Sequence, residues 1–104
     1  MPDMSYKLGT EIKCAGWVTI AFTGKAVVIT RKVGGGKRIP IGAIASLKPH
    51  GGNLLQKPSL MIELNNEEAP KGFKEKANNE NCVFYDKKTI PEINAMIEAI
   101  EEAL

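Results

Sequence analysis

The clearest pattern of apolar and polar positions lies in the segment AGWVTIAFTGKAVVITRK, residues 15–32. Two runs of β-branched and aromatic residues fit the pleated surface of strands. Between them, Thr23-Gly24-Lys25 forms a break, where Gly24 supplies the positive φ of a tight turn. The pattern predicts a β-hairpin whose first strand alternates Trp17, Thr19 and Ala21 with Val18, Ile20 and Phe22.

The segment KRIPIGAIASLKPH, residues 37–50, predicts a third strand with a break at Gly42. Ile39 and Ile41 are expected to point inward, with Ile44 and Leu47 as further candidates. Pro40 has no N–H to donate to a ladder, so it is expected at a sheet edge or a bulge.

Two further strands follow. The segment SLMIEL, residues 59–64, places Leu60, Ile62 and Leu64 on one face, and Cys82–Tyr85 predicts another strand. The intervening residues 65–80 are polar and turn-rich, with Phe73 as their one large apolar residue, and predict a loop, with one helical turn or a short strand within it as alternatives. An edge strand is also predicted around Ser5–Leu8.

The chain ends in a predicted amphipathic helix, residues 90–104. Thr89 and Glu92 have the spacing of a capping box, and Pro91 lies in the first turn. The apolar positions recur every three or four residues, as in a helix with one apolar stripe: they are Ile90, Ile93, Ile97, Ile100 and Leu104, flanked by Met96. We expect this stripe to pack on the sheets. A membrane-surface helix normally carries cations on its polar face, and this one carries only acids.

Composition places the chain among single-domain globular proteins. Its 104 residues are 43% hydrophobic and 25% charged, which is ordinary for a soluble domain, and we expect residues 1–104 to form one domain. No apolar run approaches the ~20 residues of a transmembrane helix. The N-terminus lacks the basic and apolar regions of a signal peptide, so a cytoplasmic location is expected, with attachment to a membrane surface left open. Cys14 and Cys82 fit that location as buried free thiols, with a disulfide between them as the alternative.

The net charge is only +2, but the charges are segregated. Between Glu11 and Glu63 there are eight cations and no acidic residue, whereas residues 89–104 carry four glutamates and no cation. Such asymmetry bears on partners and leaves the fold unaffected.

The segment RKVGGGKRIP, residues 31–40, combines glycines with cations. A phosphate-binding P-loop would need glycine at Arg31 and serine or threonine at Arg38, and a dinucleotide fingerprint would need glycine at Ile39. Both kinds of nucleotide site are therefore rejected. A plain connection between strands and a loop that contacts phosphates both remain, and the candidate anion contacts are Arg31, Lys32, Lys37 and Arg38.

Catalytic patterns are sparse. His50 is the only histidine, no His/Cys/Asp group has metal-ligand spacing, and no nucleophile lies beside a base. We expect no enzyme activity, no cofactor, no metal and no small-molecule substrate. Nucleic acid is disfavoured because stacking needs exposed aromatic rings, and the six aromatic residues are expected mostly in the core.

The order of these segments resembles bacterial pleckstrin-homology-like domains, and in particular a small actinobacterial and phage-associated family of unknown function. The run KRIPIGAI resembles the K-x-I-P-x-x-x-I strand of those domains, and NENCVFY and AMIEAIEEAL resemble their last strand and closing helix. The hairpin Gly16–Arg31 is similar to theirs, with one extra residue before the turn glycine. The likeness covers residues 15–104.

The resemblance implies a mainly β fold: about seven antiparallel strands in a barrel or sandwich over residues 15–86, capped by the C-terminal helix. Five or six strands are countable here, and the missing one is expected in residues 65–80 or before Ala15. The early hairpin turn, TGK, is shorter than the basic loop of eukaryotic relatives that bind phosphoinositides, which argues against such recognition here.

Two functions follow as expectations. The first is a non-enzymatic binding or assembly module with a protein partner, including a second copy of itself. Its contact would be a strand edge at Ile39, Pro40 and Ile41. The second is peripheral binding to anionic lipid through the four loop cations, each contributing about 1 kcal/mol near an acidic bilayer.

Overall fold

The fold is taken from a computed structural model, which describes residues 6–32, 35–52, 56–65 and 81–104. These ranges contain seven strands, two short 3-10 turns (Ile41–Ala43 and Lys87–Thr89) and one α-helix. The strands are β1 (Ile12–Cys14), β2 (Val18–Phe22), β3 (Ala26–Arg31), β4 (Lys37–Pro40), β5 (Ile44–His50), β6 (Ser59–Leu64) and β7 (Cys82–Phe84), and the helix is α1 (Ile90–Ala103).

The strands form two antiparallel sheets. Sheet A has the order β1-β2-β3-β4, and sheet B has the order β5-β6-β7. Their inner faces and the apolar stripe of α1 enclose one hydrophobic core, so the arrangement is sandwich-like. The expected mainly β fold with seven antiparallel strands and a C-terminal helix is confirmed. The largest fully buried side chains include Tyr85, Phe22, Ile20, Ile29, Leu60, Ile62, Met96 and Ile100.

The predicted hairpin is present as β2 and β3. Phe22 lies opposite Val27, and the Thr23 N–H donates to the Ala26 carbonyl at 2.9 Å to close the turn. Gly24 has a φ of +99°, which the sequence anticipated. The expectation that Trp17 belongs to the first strand is wrong, because β2 begins at Val18 and Trp17 lies in the preceding turn.

The segment predicted as one broken strand is divided between the two sheets. β4 ends at Pro40, the 3-10 turn of residues 41–43 changes the chain direction, and β5 begins at Ile44 in sheet B. The break expected at Gly42 is therefore the corner that joins the sheets. Ile39 and Ile44 are buried, and Ile41 is half-buried against the core.

One edge strand of sheet A is β1, and the prediction of a strand around residues 5–8 is wrong for the described residues 6–8, which form no strand. Residues before β1 instead pair irregularly with the end of β2. The Phe22 N–H donates to the Tyr6 hydroxyl at 2.8 Å, and the Gly9 N–H donates to the Phe22 carbonyl at 2.8 Å. Two strands of the described seven were thus not among those predicted. One, β1, lies before Ala15, which is one of the two places anticipated, and the other arises from the division of residues 37–50.

Sheet B contains the two strands predicted at residues 59–64 and 82–85. Leu60 and Ile62 face the core as expected, and Met61, on the opposite face, is also buried. Of the loop predicted over residues 65–80, only Asn65 is among the described residues; Phe73 lies outside them. Both cysteines are free thiols, Cys82 buried and Cys14 half-buried, so the alternative of a disulfide is not realised.

The C-terminal helix is confirmed, and its stripe packs into the core through Ile93, Met96, Ile97 and Ile100. Leu104, expected on the same stripe, is 54% exposed. The predicted capping box does not form. A 3-10 turn leads directly into α1, so Thr89 already has near-helical backbone angles (φ −89°, ψ −11°) and makes no side-chain cap.

Candidate functional site

The four candidate cations are divided between the two faces of sheet A. Arg31 lies opposite Val18, and Lys37 lies opposite Ile29, so both occupy register positions of the inner face, on either side of the β3–β4 loop. Arg38 lies on the outer face and is exposed. Residues 33 and 34 of the connecting loop are outside the described ranges.

One glycine of this loop is required by strand packing. A Cβ atom built on Gly36 would lie 2.6 Å from the carbonyl oxygen of Ile29, a separation that no side chain tolerates. The backbone of the loop therefore approaches β3 more closely than any other residue type permits. This contact accounts for Gly36 without any phosphate.

Trp17 is the most exposed large apolar side chain of the described residues, at 77%. It lies in the three-residue turn between β1 and β2, with a φ of +63°, a left-handed conformation that is unfavourable for a large side chain. The turn is tied to sheet B, because the Ala15 N–H donates to the Phe84 carbonyl at 2.8 Å. An exposed indole ring held on a strained backbone is a feature that folding alone does not require.

Lys32 brings one candidate cation to this ring. Its ammonium lies 4.6 Å from the centroid of the Trp17 ring, which is a cation–π contact. The pair joins the β1–β2 turn to the end of β3, so the two connections meet at the same end of sheet A. At an exposed site such a contact contributes about 0.5–1 kcal/mol.

The outer face of sheet A carries two further cations. Lys13 lies opposite Thr19, and Arg38 lies opposite Val28. We define the Trp17 surface by its exposed members, which are Lys13, Trp17, Thr30, Lys32 and Arg38. Within the described ranges, no carboxylate is paired with Lys32 or Arg38. A carboxylate does lie near the surface, because the Thr19 hydroxyl donates to Glu11 Oε2 at 3.4 Å. The surface remains predominantly cationic.

The strand edge at Ile39, Pro40 and Ile41 offers little to an incoming strand. The Ile41 N–H donates to the Lys25 carbonyl at 2.9 Å, and the register of β3 and β4 then directs the backbone groups of Ile39 to β3 as well. Only Arg38 and Pro40 direct backbone groups outward, and proline has no N–H.

The edge of β5 is blocked in the same way. The Ile62 N–H donates to the Asn81 carbonyl of the β7 side, so alternate residues of β6 bond to β5. In β5, the backbone groups of Leu47 and Pro49 therefore point away from β6, toward the open edge of the sheet. The two sheet edges on either side of the corner at residues 41–43 thus each carry a proline at an outward position.

Side chains that could bind a metal ion or act in catalysis are few in the described ranges. They contain no group of three or more His, Cys, Asp or Glu side chains that could hold a metal ion. Burial, with a smaller effect of the nearby Glu92 carboxylate, raises the pKa of the Cys14 thiol to about 11, so this thiol stays protonated at neutral pH. His50 is exposed, and its Nδ1 accepts a hydrogen bond from the Gly52 N–H at 3.1 Å. No helix among the residues described is long and apolar enough to cross a bilayer.

Sequence reasoning found Lys32 and Arg38 but missed Trp17 and Lys13. Trp17 continues the alternation of β2 by one position, and this pattern concealed its place in the turn. The signal that was available is Gly16, since a glycine directly before the residue marks the end of regular strand geometry. Lys13 lies in a strand too short to show a pattern.

Comparisons of this chain with protein-family models, with curated proteins and with solved structures found no match.

Proposed function

We propose that this chain is a non-enzymatic binding module that recognises an acidic protein surface through the Trp17 surface. The observation that carries the proposal is the exposed Trp17 ring, held at a φ of +63° with the Lys32 ammonium over it. Tryptophan and arginine are enriched among the residues that dominate binding energy at interfaces. The flanking cations select for partners of negative charge.

Anionic lipid is the second candidate, and a separate property of Trp17 favours it. An indole ring has an apolar body and one N–H donor, and it partitions into the headgroup region of bilayers. Lys13, Lys32 and Arg38 would supply electrostatic attraction. In this version the protein is peripheral to the membrane.

The fluorescence of Trp17 provides a direct test, because it is the chain's only tryptophan. The protein is titrated with a glutamate-rich peptide, a lysine-rich peptide, neutral vesicles and vesicles containing anionic lipid, each at low and moderate salt. A blue shift with the glutamate-rich peptide alone, weakening with salt, is the expected result. A shift with anionic vesicles alone would replace the first candidate by the second.

Two variants locate the contact. Lys32→Glu/Arg38→Glu is expected to remove the response to the acidic peptide. The control is Lys25→Glu/Lys87→Glu, which makes the same change of net charge at exposed residues outside the Trp17 surface. A short single-stranded oligonucleotide is a further ligand, because base stacking also uses exposed aromatic rings beside cations. Binding to the oligonucleotide alone, or equal loss in both variants, would contradict the proposal.

A further inference from the structure

The C-terminal end of α1 has the opposite character to the Trp17 surface. Glu98, Glu101 and Glu102 are exposed there, and the last turn of the helix contains no basic residue. The helix dipole places partial negative charge at the same end, so these acids are unfavourably located for the stability of the helix. Beside them Leu104 is 54% exposed.

The two surfaces match in more than charge. The Trp17 surface has one large exposed apolar side chain with the Lys32 ammonium over its ring and two further cations on the same face of sheet A. The end of α1 has one exposed apolar side chain, Leu104, that follows the exposed Glu101 and Glu102 along the chain. An apolar centre with a charged rim is the usual anatomy of a protein interface. The two surfaces are therefore complementary in charge, and each has an exposed apolar side chain that the other could cover.

The two surfaces do not satisfy each other within one chain. The ion pairs in the described ranges join Lys48 to Glu63 and Lys57 to Asp86. Lys32, Arg38 and the glutamates of the last helical turns take no part in them. The complementary partner for the Trp17 surface is then a second molecule with the same acidic helix end.

We infer that the occupant of the Trp17 surface is a second copy of this chain, whose acidic end of α1 docks there, with Leu104 against the Trp17 ring. The inference rests on the proposed function, since it names the partner of the same surface. The contact is heterologous because it joins two different patches. Repeated, it builds a closed ring or an open chain, and it does not build a symmetric dimer.

Light scattering over a range of protein concentrations provides the first measurement. The wild-type chain is expected to gain apparent mass with concentration at low salt, and to lose most of that gain near 0.5 M salt, where exposed charges are screened. A strict monomer at every concentration and salt would overturn the inference.

Mixing two defective variants provides the decisive measurement. Lys32→Glu/Arg38→Glu lacks the docking surface, and Glu101→Gln/Glu102→Gln lacks the acidic end without creating a basic one; each alone is expected to remain monomeric. Their equimolar mixture retains one intact contact, in which the Trp17 surface of the helix variant binds the acidic end of the other. The mixture should therefore stop at twice the monomer mass, while the wild type continues to larger species.

The outcomes separate this inference from the proposed function. Association that persists in either variant, or a mixture that stays monomeric while the wild type associates, would overturn the head-to-tail contact. If the wild type is monomeric but still binds the glutamate-rich peptide, the inference fails and the proposed function stands. If the peptide does not bind and the wild type is also monomeric, both fail. Lys25→Glu/Lys87→Glu should associate as the wild type does.

Discussion

The backbone at Gly36 leaves no space for a side chain, so substitution of this glycine tests whether the loop packs closely on β3. We expect Gly36→Ala to lower the free energy of unfolding by about 1–3 kcal/mol, as overpacking against a fixed backbone does. The reason is the 2.6 Å separation between its Cβ and the Ile29 carbonyl oxygen. Chemical denaturation monitored by circular dichroism measures this change.

Gly42→Ala is the matched control for that substitution. A Cβ at Gly42 meets nothing within 4 Å, and its φ is not positive. Alanine there should leave the free energy of unfolding unchanged or raise it by about 0.4–1 kcal/mol, through lower entropy of the unfolded chain. Equal losses for the two variants would mean that the loop does not pack closely on β3.

Substitution of Trp17 can show whether this residue serves stability or binding. We expect Trp17→Gly to change the free energy of unfolding by less than about 1 kcal/mol, because relief of the left-handed strain offsets the lost cation–π contact and the flexibility of glycine. Truncation of a buried tryptophan would instead cost about 3–5 kcal/mol. Denaturant unfolding decides between these values.

The same substitution should abolish binding to the glutamate-rich peptide. Trp17→Phe keeps an exposed aromatic ring and the same backbone strain, so it should retain most of the binding. Peptide affinities of the two variants are compared by calorimetry, since both lack the fluorescent ring. If Trp17→Gly binds as the wild type does, the ring has no part in recognition.

At the scale of elements, the prolines on the edge strands β4 and β5 are expected to suppress strand addition there. Pro40 on β4 and Pro49 on β5 both occupy outward-facing positions of edge strands, where an N–H would be open to another chain. We expect the double variant Pro40→Thr/Pro49→Thr to associate through these edges at concentrations where the wild type does not, with a gain of β signal in infrared spectra.

Salt distinguishes that association from the head-to-tail contact. Backbone pairing at a strand edge persists near 0.5 M salt, whereas contacts between exposed charges are screened. Adding Lys32→Glu/Arg38→Glu to the proline variant should therefore leave the edge association in place. Loss of association in this quadruple variant would mean that the proline variant does not associate through its strand edges.

The elements that sequence alone predicted correctly are those with a complete local pattern. The β2–β3 hairpin has its turn glycine between two apolar runs, and α1 has a stripe over four turns. The division of residues 37–50 between two sheets was not predictable, because a strand that turns a corner keeps the apolar pattern of one that continues. The same limit concealed Trp17, since its exposure depends on where β2 begins.

For the candidate site, the sequence supplied the charges without their arrangement. Four cations within eight residues indicated an anion contact, and the structure divides them between two faces of sheet A. Lys13 joins the site only because β1 pairs with β2 across the turn of residues 15–17. A strand of three residues is too short to show the alternation that would have predicted this hairpin.

At the scale of the whole molecule, sheets A and B meet where the β1–β2 turn approaches β7. Besides the hydrogen bond from Ala15 to Phe84, this region contains the half-buried Cys14 and the buried Tyr85, whose hydroxyl donates to the Ser59 carbonyl at 3.3 Å. Burial, and to a smaller extent the neighbouring Cys14 and Cys82, raises the pKa of Tyr85 to about 12. The Cys14 thiol and the Tyr85 hydroxyl therefore lose their protons at higher pH in the folded chain than in the unfolded chain.

These shifts predict that the molecule loses stability in alkali. The pKa of Cys14 rises from 9.0 to about 11 on folding. Between these values the unfolded chain has released the proton that the folded chain still holds, so the free energy of unfolding falls as the pH rises. One proton corresponds to at most about 1.4 kcal/mol per pH unit, and because Cys14 is only half-buried, solvent screening keeps its total effect below what this slope would give over the whole range. Tyr85 adds a similar slope from its ordinary value of 10.0 to about 12.

Denaturant unfolding between pH 7 and 11 tests this linkage, and the Cys14→Ala variant identifies its source. Stability should be level below pH 8.5 and then decline, and the variant should decline less steeply from pH 9 to 11. The comparison uses the slope against pH rather than the absolute stability, so a change in packing at residue 14 does not mimic it. Equal slopes would mean that Cys14 ionises as readily in the folded chain as in the unfolded one. The region where the β1–β2 turn meets β7 would then be open to water, and the turn that carries Trp17 would lack the buried support on which its conformation depends.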